Sequence, residues 1–496
     1  MTSRPPRNGR AAIMALTYLG FALQMVQVGL LPLLPEIGAE LGASPAGTSW
    51  ILTSGLLSGA VFLAVLTRLG DLIGKRPVIL LAMSLVVVGC VIDTFATTLP
   101  LVLLGRVLIG AQLPMLALPV AIANDTLEPK RAHGTISSIH VCTGLGIAAG
   151  LLLGSFVGRS WHLYFAISAV AALIGLVATA LLVHDSPRRA TGGLDLPGAG
   201  LLTLALVAVL LGLSEGSAWG WGSAGVVSLL VGGAVLFGLW WLRERTAQVP
   251  LIKVGYLVQP HIGIPYAMTF LVAFGIYGSL SAVTRLAQTP LQAGFGFGWS
   301  GHATAWFAVP QAVGPALGTL VLRWGRQRGL VMTAAISFCL IIVGFAGYAV
   351  GHSTPLAELV SLAPDSMGLA IALAATQLLV LSVVPAEESG IALGLSVVMY
   401  AVGQSLGSAV VGVYFASFTT PAGLPALGSY LAAFATCGGA AVVALLLCVP
   451  LARSRTAGGT AGGTAAYSAS APAPAERDAS DTGTDGPATA RPRATG

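Results

Sequence analysis

The chain has 496 residues, of which 55% are hydrophobic and only 8% charged, with a mean hydropathy of +0.87. A water-soluble chain carries about 25% charged residues, so this composition excludes a water-facing globule and makes lipid the solvent for most of the chain. The formal charge is +6, but Lys and Arg are divided among many short segments, which excludes one continuous basic face for nucleic acid.

The N-terminal segment 1–11 is basic, and the apolar run after it continues to Leu34. That run is about twice a signal-peptide core and no small-x-small cleavage site follows, so it reads as a first span that stays in the chain. A spanning helix needs about 20 mainly apolar residues. This window predicts fourteen spans, over 12–34, 49–67, 77–96, 100–123, 135–157, 162–183, 197–215, 224–242, 262–285, 301–322, 329–350, 356–383, 390–414 and 429–451. From 452 to 496 the composition is Ala, Gly, Thr, Ser and Pro, which cannot bury enough surface to fold and predicts a disordered tail.

Polar groups inside this apolar frame are few. In span 1, Gln24 and Gln27 share a face by their i,i+3 spacing. Between spans 2 and 3, TRLGDLIGKRPVIL places Arg68, Asp71, Lys75 and Arg76 within nine positions. Orientation in the membrane accounts for the cations but not for Asp71, because acids contribute little to it. A carboxylate there can take charge-assisted hydrogen bonds or sit at a helix N-terminus. Arg106 lies about two turns into span 4, where an Arg costs roughly 2.5–3.5 kcal/mol on insertion scales. It needs a partner or water: Asp93, near the end of span 3, is a candidate, and snorkelling to the interface is the alternative. Gln112 and Asn124 in span 4 and His140 in span 5 are further isolated polar groups.

Gly146, Gly150, Gly154 and Gly158 recur every four residues in span 5, and Gly403 and Gly407 in span 13 are a counterpart. Such faces let helix backbones approach closely, either for packing alone or as a smooth surface along which bundles rock. Trp219 and Trp221 fit interface anchors at the end of span 7. Glu358 and Asp365 lie on one face of span 12 by i,i+7 spacing. Asp365 is near mid-membrane if that helix is continuous; a start near Met367, after Pro364, leaves both acids in an outer loop.

Lys and Arg also set topology. With a cytoplasmic N-terminus, nearly all of them fall in cytoplasmic segments, and only Arg159 and Arg285 fall outside, which predicts both termini inside. The five cysteines sit in apolar runs without metal-ligand spacing. GLSEG and GQSLG match G-x-S-x-G but fall on predicted spans rather than strand–turn–helix elbows. There is no P-loop, so nothing points to ATP as driver.

An internal repeat pairs TRLGDLIGKRPVIL with TLVLRWGRQRGLVM, setting Gly74–Lys75 against Gly325–Arg326. It divides the chain into a six-helix bundle over 12–185, an inserted helix pair with linkers over 186–261 and a second bundle over 262–451. Duplicated bundles are a transporter plan with the site between them.

Four stretches carry a family resemblance: TSWILTSGLLSGAVFLAVLTRLGDLIGKRPVIL, LLGRVLIGAQ, LDLPGAGLLTLALVAVLLGLSEGSAWGW and VVPAEESGIALGLSVVMYAVGQSLGSAVVG. With them the chain resembles the fourteen-helix drug:proton antiporters of the major facilitator superfamily. The resemblance implies an all-α integral membrane protein, two six-helix bundles plus two inserted helices. It implies a conformational latch at Arg68, Gly70, Asp71, Gly74, Lys75 and Arg76; beside it, the residues themselves make Arg106, Asp93, Asp365, Glu358, Gln24 and Gln27 candidates for proton coupling or a substrate cavity. Thr67, Leu72 and Leu151 depart from the family pattern, and span 1 lacks its acid. The expected function is export of a lipophilic or cationic small molecule across the cytoplasmic membrane by proton antiport, without cofactor, as a monomer. Uptake or uniport, and a non-transporting sensor or scaffold, remain the alternatives; no enzyme site is evident.

Overall fold

The computed structural model describes residues 9–43, 45–157, 160–186, 195–247, 259–299, 303–326, 328–384, 389–417 and 425–459. Gly158, Arg159, Arg188, Arg189 and Lys253 lie outside them.

The described chain is a succession of long helices: α1 (Gly9–Val28), α2 (Leu34–Glu40), α3 (Pro45–Ile73), α4 (Lys75–Thr94), α5 (Leu99–Ile109), α6 (Leu118–Thr126), α7 (Pro129–Val157), α8 (Trp161–Leu182), α9 (Leu196–Trp219), α10 (Ala224–Thr246), α11 (Pro260–Gln288), α12 (Ala308–Arg326), α13 (Leu330–Gly351), α14 (Pro355–Leu381), α15 (Ser389–Ser417) and α16 (Leu427–Gly459). Among the described residues, each predicted span falls mostly on helix. Among the described residues, twelve segments are long and apolar enough to cross a membrane. Neither α9 nor α11 is among the twelve; the apolar part of α9, Pro197–Leu213, is shorter than the rest.

Several boundaries differ from expectation. Arg68 and Asp71 belong to the last turns of α3 and Lys75 opens α4, so the expected loop is a single residue. Gly74 makes this possible with φ +114°, a conformation L side chains rarely adopt. Helix α14 runs unbroken through Pro364, so Glu358 and Asp365 are helical and buried, not in a loop. The N-terminal helix begins at Gly9 and α16 continues to Gly459, so part of each expected terminal segment is helical.

Span 4 is not one α-helix. Pro114 and Pro119 lack the N–H groups a continuous ladder needs, and the chain passes through a 3-10 segment, Gly110–Leu116, between α5 and α6. The tighter winding carries Gln112.

Two large cores form. One joins residues of α1 and α3–α8 to the buried sides of α9, α10 and α15; the other joins α11, α13, α14, α15 and α16. Gly146, Gly150 and Gly154 on α7 face the α1 backbone at Phe21, Met25 and Gly29. Gly403 and Gly407 on α15 face the α11 backbone at Phe270 and Phe274 in the same way. The glycine ladder is therefore a packing face between α7 and α1, and the repeat seen in sequence recurs as α15 against α11. Helices α9 and α10 pair with each other, and Asp195 ties them by accepting from Gly198 N at 3.1 Å and Arg243 Nη2 at 2.7 Å. Burial raises the Asp195 carboxyl, but those donors outweigh it and hold it below its ordinary value.

Candidate functional site

One end of the molecule concentrates buried charge. Lys75 is fully buried, with Nζ 3.2 Å from Asp71 Oδ1 and 2.7 Å from Asp125 Oδ2. Asp71 Oδ2 accepts from the backbone N of Ile391 at 2.9 Å. That N–H is in the first turn of α15, where helix amides have no intrahelical acceptor and carry partial positive charge. The α3 carboxylate thus caps a helix 320 residues away in sequence. A Cβ on Gly390 would overlap the Asp71 carboxylate, so a glycine there lets the cap close.

Asp125, at the end of α6, gathers the remaining strands of the cluster. It also accepts from Ser186 Oγ at 2.7 Å and Ser389 Oγ at 3.2 Å. Arg76 donates its backbone N–H to Asp185 at 3.1 Å and its guanidinium to the Ala180 carbonyl at 2.6 Å. Arg68 is buried in the same α3 turns, and Gly70 packs on Leu118. The expected latch residues are thus together. Asp125, Asp185, Ser389 and the Ile391 amide were not anticipated; only an acid at the end of span 4 could have signalled Asp125.

Away from this cluster, a central cavity lies between the two cores. It is bounded by Gln24, Gln27, Gln112 and Gln404 together with Gly55, Leu56 and Tyr400. It adjoins a second space lined by His140, Gln377 and Thr269, and Gln24, Leu116 and Tyr400 line both. Gln112 donates to Gln27. His140 Nε2 and Gln377 Oε1 are 2.9 Å apart, joining α7 to α14. Among the described residues, no Asp, Glu, Lys or Arg lines either space.

Arg106 is fully buried beside the cavity wall. Its Nε donates to the Ile51 carbonyl at 3.1 Å, while Nη1 has no hydrogen-bond partner. Asp93 is also fully buried, within Coulombic range of Arg106 but with neither oxygen hydrogen-bonded. The carboxylate packs against Gly105 rather than lining the cavity.

Glu358 and Asp365 do not reach the cavity either. Asp365 Oδ2 accepts from Tyr348 on α13 at 3.0 Å, within the second core. Both Glu358 oxygens are buried without a hydrogen-bond partner. Asn124 is half-buried next to Asp125 on α6, and Trp219 is exposed, as an anchor would be. Among the described residues no cluster of His, Cys, Asp and Glu is arranged to hold a metal.

A family model described as Major Facilitator Superfamily matches residues 12–407. An uncharacterized MFS-type transporter of Mycobacterium tuberculosis is 27% identical over 415 residues, 81% of this chain but 59% of that protein, so the match spans well under two thirds of that relative's length. The tetracenomycin C resistance and export protein of Streptomyces glaucescens is 28% identical over 398 residues, 77% of this chain and 71% of that one. The crystal structure of the human organic anion transporter MFSD10 shares the fold, with TM-score 0.64 at 16% identity over 90% of this chain and all of that one.

Proposed function

The chain belongs to the major facilitator superfamily, and from that premise we propose that this membrane transporter exports a lipophilic small molecule by proton antiport and alternating access. The observation that carries the reading is the Asp71–Ile391 hydrogen bond. It ties the α3–α4 hinge, where the chain reverses in one residue, to the first turn of α15, a helix of the second bundle in this reading. Such a contact holds one end of the molecule shut and must break for that end to open.

In this reading the chain crosses the cytoplasmic membrane fourteen times with both termini inside, α9 and α11 completing the count. Residues 12–185 and 262–451 are the two bundles, and 186–261 hold the inserted pair. The protein acts as a monomer, without cofactor. The cavity between the cores receives the substrate, and Gln24 and Gln27 stand where the family's span 1 acid would be. Arg106 lies between that cavity and Asp93, placed to pass the state of one to the other. Asp365 with Tyr348, and Glu358, are a second set of protonatable groups in the other core. In this reading each takes up a proton when its side of the membrane opens, as intramembrane carboxylates in proton relays do.

The test uses everted vesicles holding the protein, an acid-sensing dye and a panel of lipophilic compounds. Substrate-dependent collapse of the pH gradient is expected, and Asp71→Asn is expected to abolish it. Substrate movement without proton release would instead establish uniport.

A further inference from the structure

We propose that the central cavity selects amphipathic molecules that present carbonyl and hydroxyl groups and carry no positive charge. This rests on the reading of that cavity as the substrate site and narrows the class of substrate it takes.

Five glutamines line the two joined spaces: Gln24, Gln27, Gln112, Gln377 and Gln404. An amide offers both an acceptor oxygen and a donor NH2. A buried amide therefore pairs with either a carbonyl or a hydroxyl, and one left unpaired by the ligand costs binding. A permanent cation uses only the oxygens and sets its charge against the NH2 groups. The usual means of holding a cation are lacking in the lining. Among the described lining residues there is no carboxylate, and Tyr400 is the one Phe, Tyr or Trp ring, where a quaternary ammonium is held by an aromatic cage.

The charge behind the wall points the same way. Gly55 lines the cavity and has no side chain to screen what lies beyond it. A Cβ on Gly55 would stand 2.9 Å from Arg106 Nη2, so the guanidinium sits directly behind this bare stretch of α3. Its Nη1 is buried with no hydrogen-bond partner. Asp93, the carboxylate within Coulombic range of Arg106, packs against Gly105 and does not reach the lining. In a low-dielectric site a buried guanidinium with a free N–H repels a second positive charge strongly and favours a carbonyl or phenolate oxygen in its place.

The full-length protein in lipid nanodiscs would be titrated with one coumarin fluorophore in two forms, one bearing a hydroxyl group and one a trimethylammonium group. Wild type is expected to bind the hydroxyl form about tenfold more tightly. Gln27→Glu and Gln404→Glu, which add a carboxylate with little change of shape, are expected to erase or invert that preference. Ala401→Trp, which fills the cavity, is expected to weaken binding of the hydroxyl form, with thermal unfolding as a check that each variant folds. Equal or tighter binding of the ammonium form to wild type, weakened by Ala401→Trp, would overturn the selectivity while leaving the cavity as substrate site. Binding that Ala401→Trp leaves unchanged, or no binding of the hydroxyl form, would overturn the inference together with the cavity's role; the vesicle assay would then decide separately whether the protein transports.

Discussion

Lys75 is the residue on which the charged cluster turns. It has no exposure and two carboxylates within ion-pair distance, Asp71 and Asp125. Breaking a buried ion pair by removing one partner costs about 3–5 kcal/mol, because the other charge stays behind. Lys75→Met removes the partner of two carboxylates at once and is expected to lower thermal stability markedly in purified protein. Asp125→Asn leaves Lys75 with Asp71 and is expected to cost less; equal stability of Lys75→Met and wild type would show the cluster to be solvated. The four charges were legible because charge is scarce in this chain. Most of their partners were not. Asp125 lies 50 residues from Lys75, and a backbone amide such as that of Ile391 has no side chain to announce it.

Helices were the most legible level, since lipid forces every backbone group to be paired within its own span. Periodicity also found the α7 glycines, but spacing cannot say which neighbour they face. The structure sets them against α1, inside one core, rather than along the seam between the two. Gly144, on the same helix, is the glycine that meets the other half, at Pro315 of α12. A side chain on Gly150 would start 2.7 Å from the Met25 carbonyl oxygen. Overpacking of this kind costs about 1–3 kcal/mol or more, so Gly150→Leu is expected to reduce the yield of folded, monodisperse protein. A Gly150→Leu variant with wild-type yield and thermal stability would mean that α1 and α7 can separate freely. The broken course of span 4 was hidden in its sequence. Pro114 and Pro119 mark it, yet proline is tolerated in membrane helices, and only the structure reveals the 3-10 winding around Gln112.

At the scale of the molecule, the proposed alternating access requires that the end holding Asp71 separate and rejoin in each cycle. The seam between α3 and α15 is where this is testable without touching the ion pairs. A Cβ on Gly394 would stand 3.2 Å from Thr67 Cβ, slightly inside the roughly 3.5–4.5 Å span of a disulfide. A shift of a few tenths of an ångström brings the pair into range. In a background lacking the five native cysteines, Thr67→Cys combined with Gly394→Cys is expected to cross-link on mild oxidation. Transport should then stop, and reduction should restore it. Gly394→Cys alone, which adds bulk but no bond, separates crowding from locking. Unimpaired transport by the fully oxidised pair would mean that this seam stays closed throughout the cycle. The moving interface would then lie elsewhere, with the α7–α12 contact at Gly144 and Pro315 next in line.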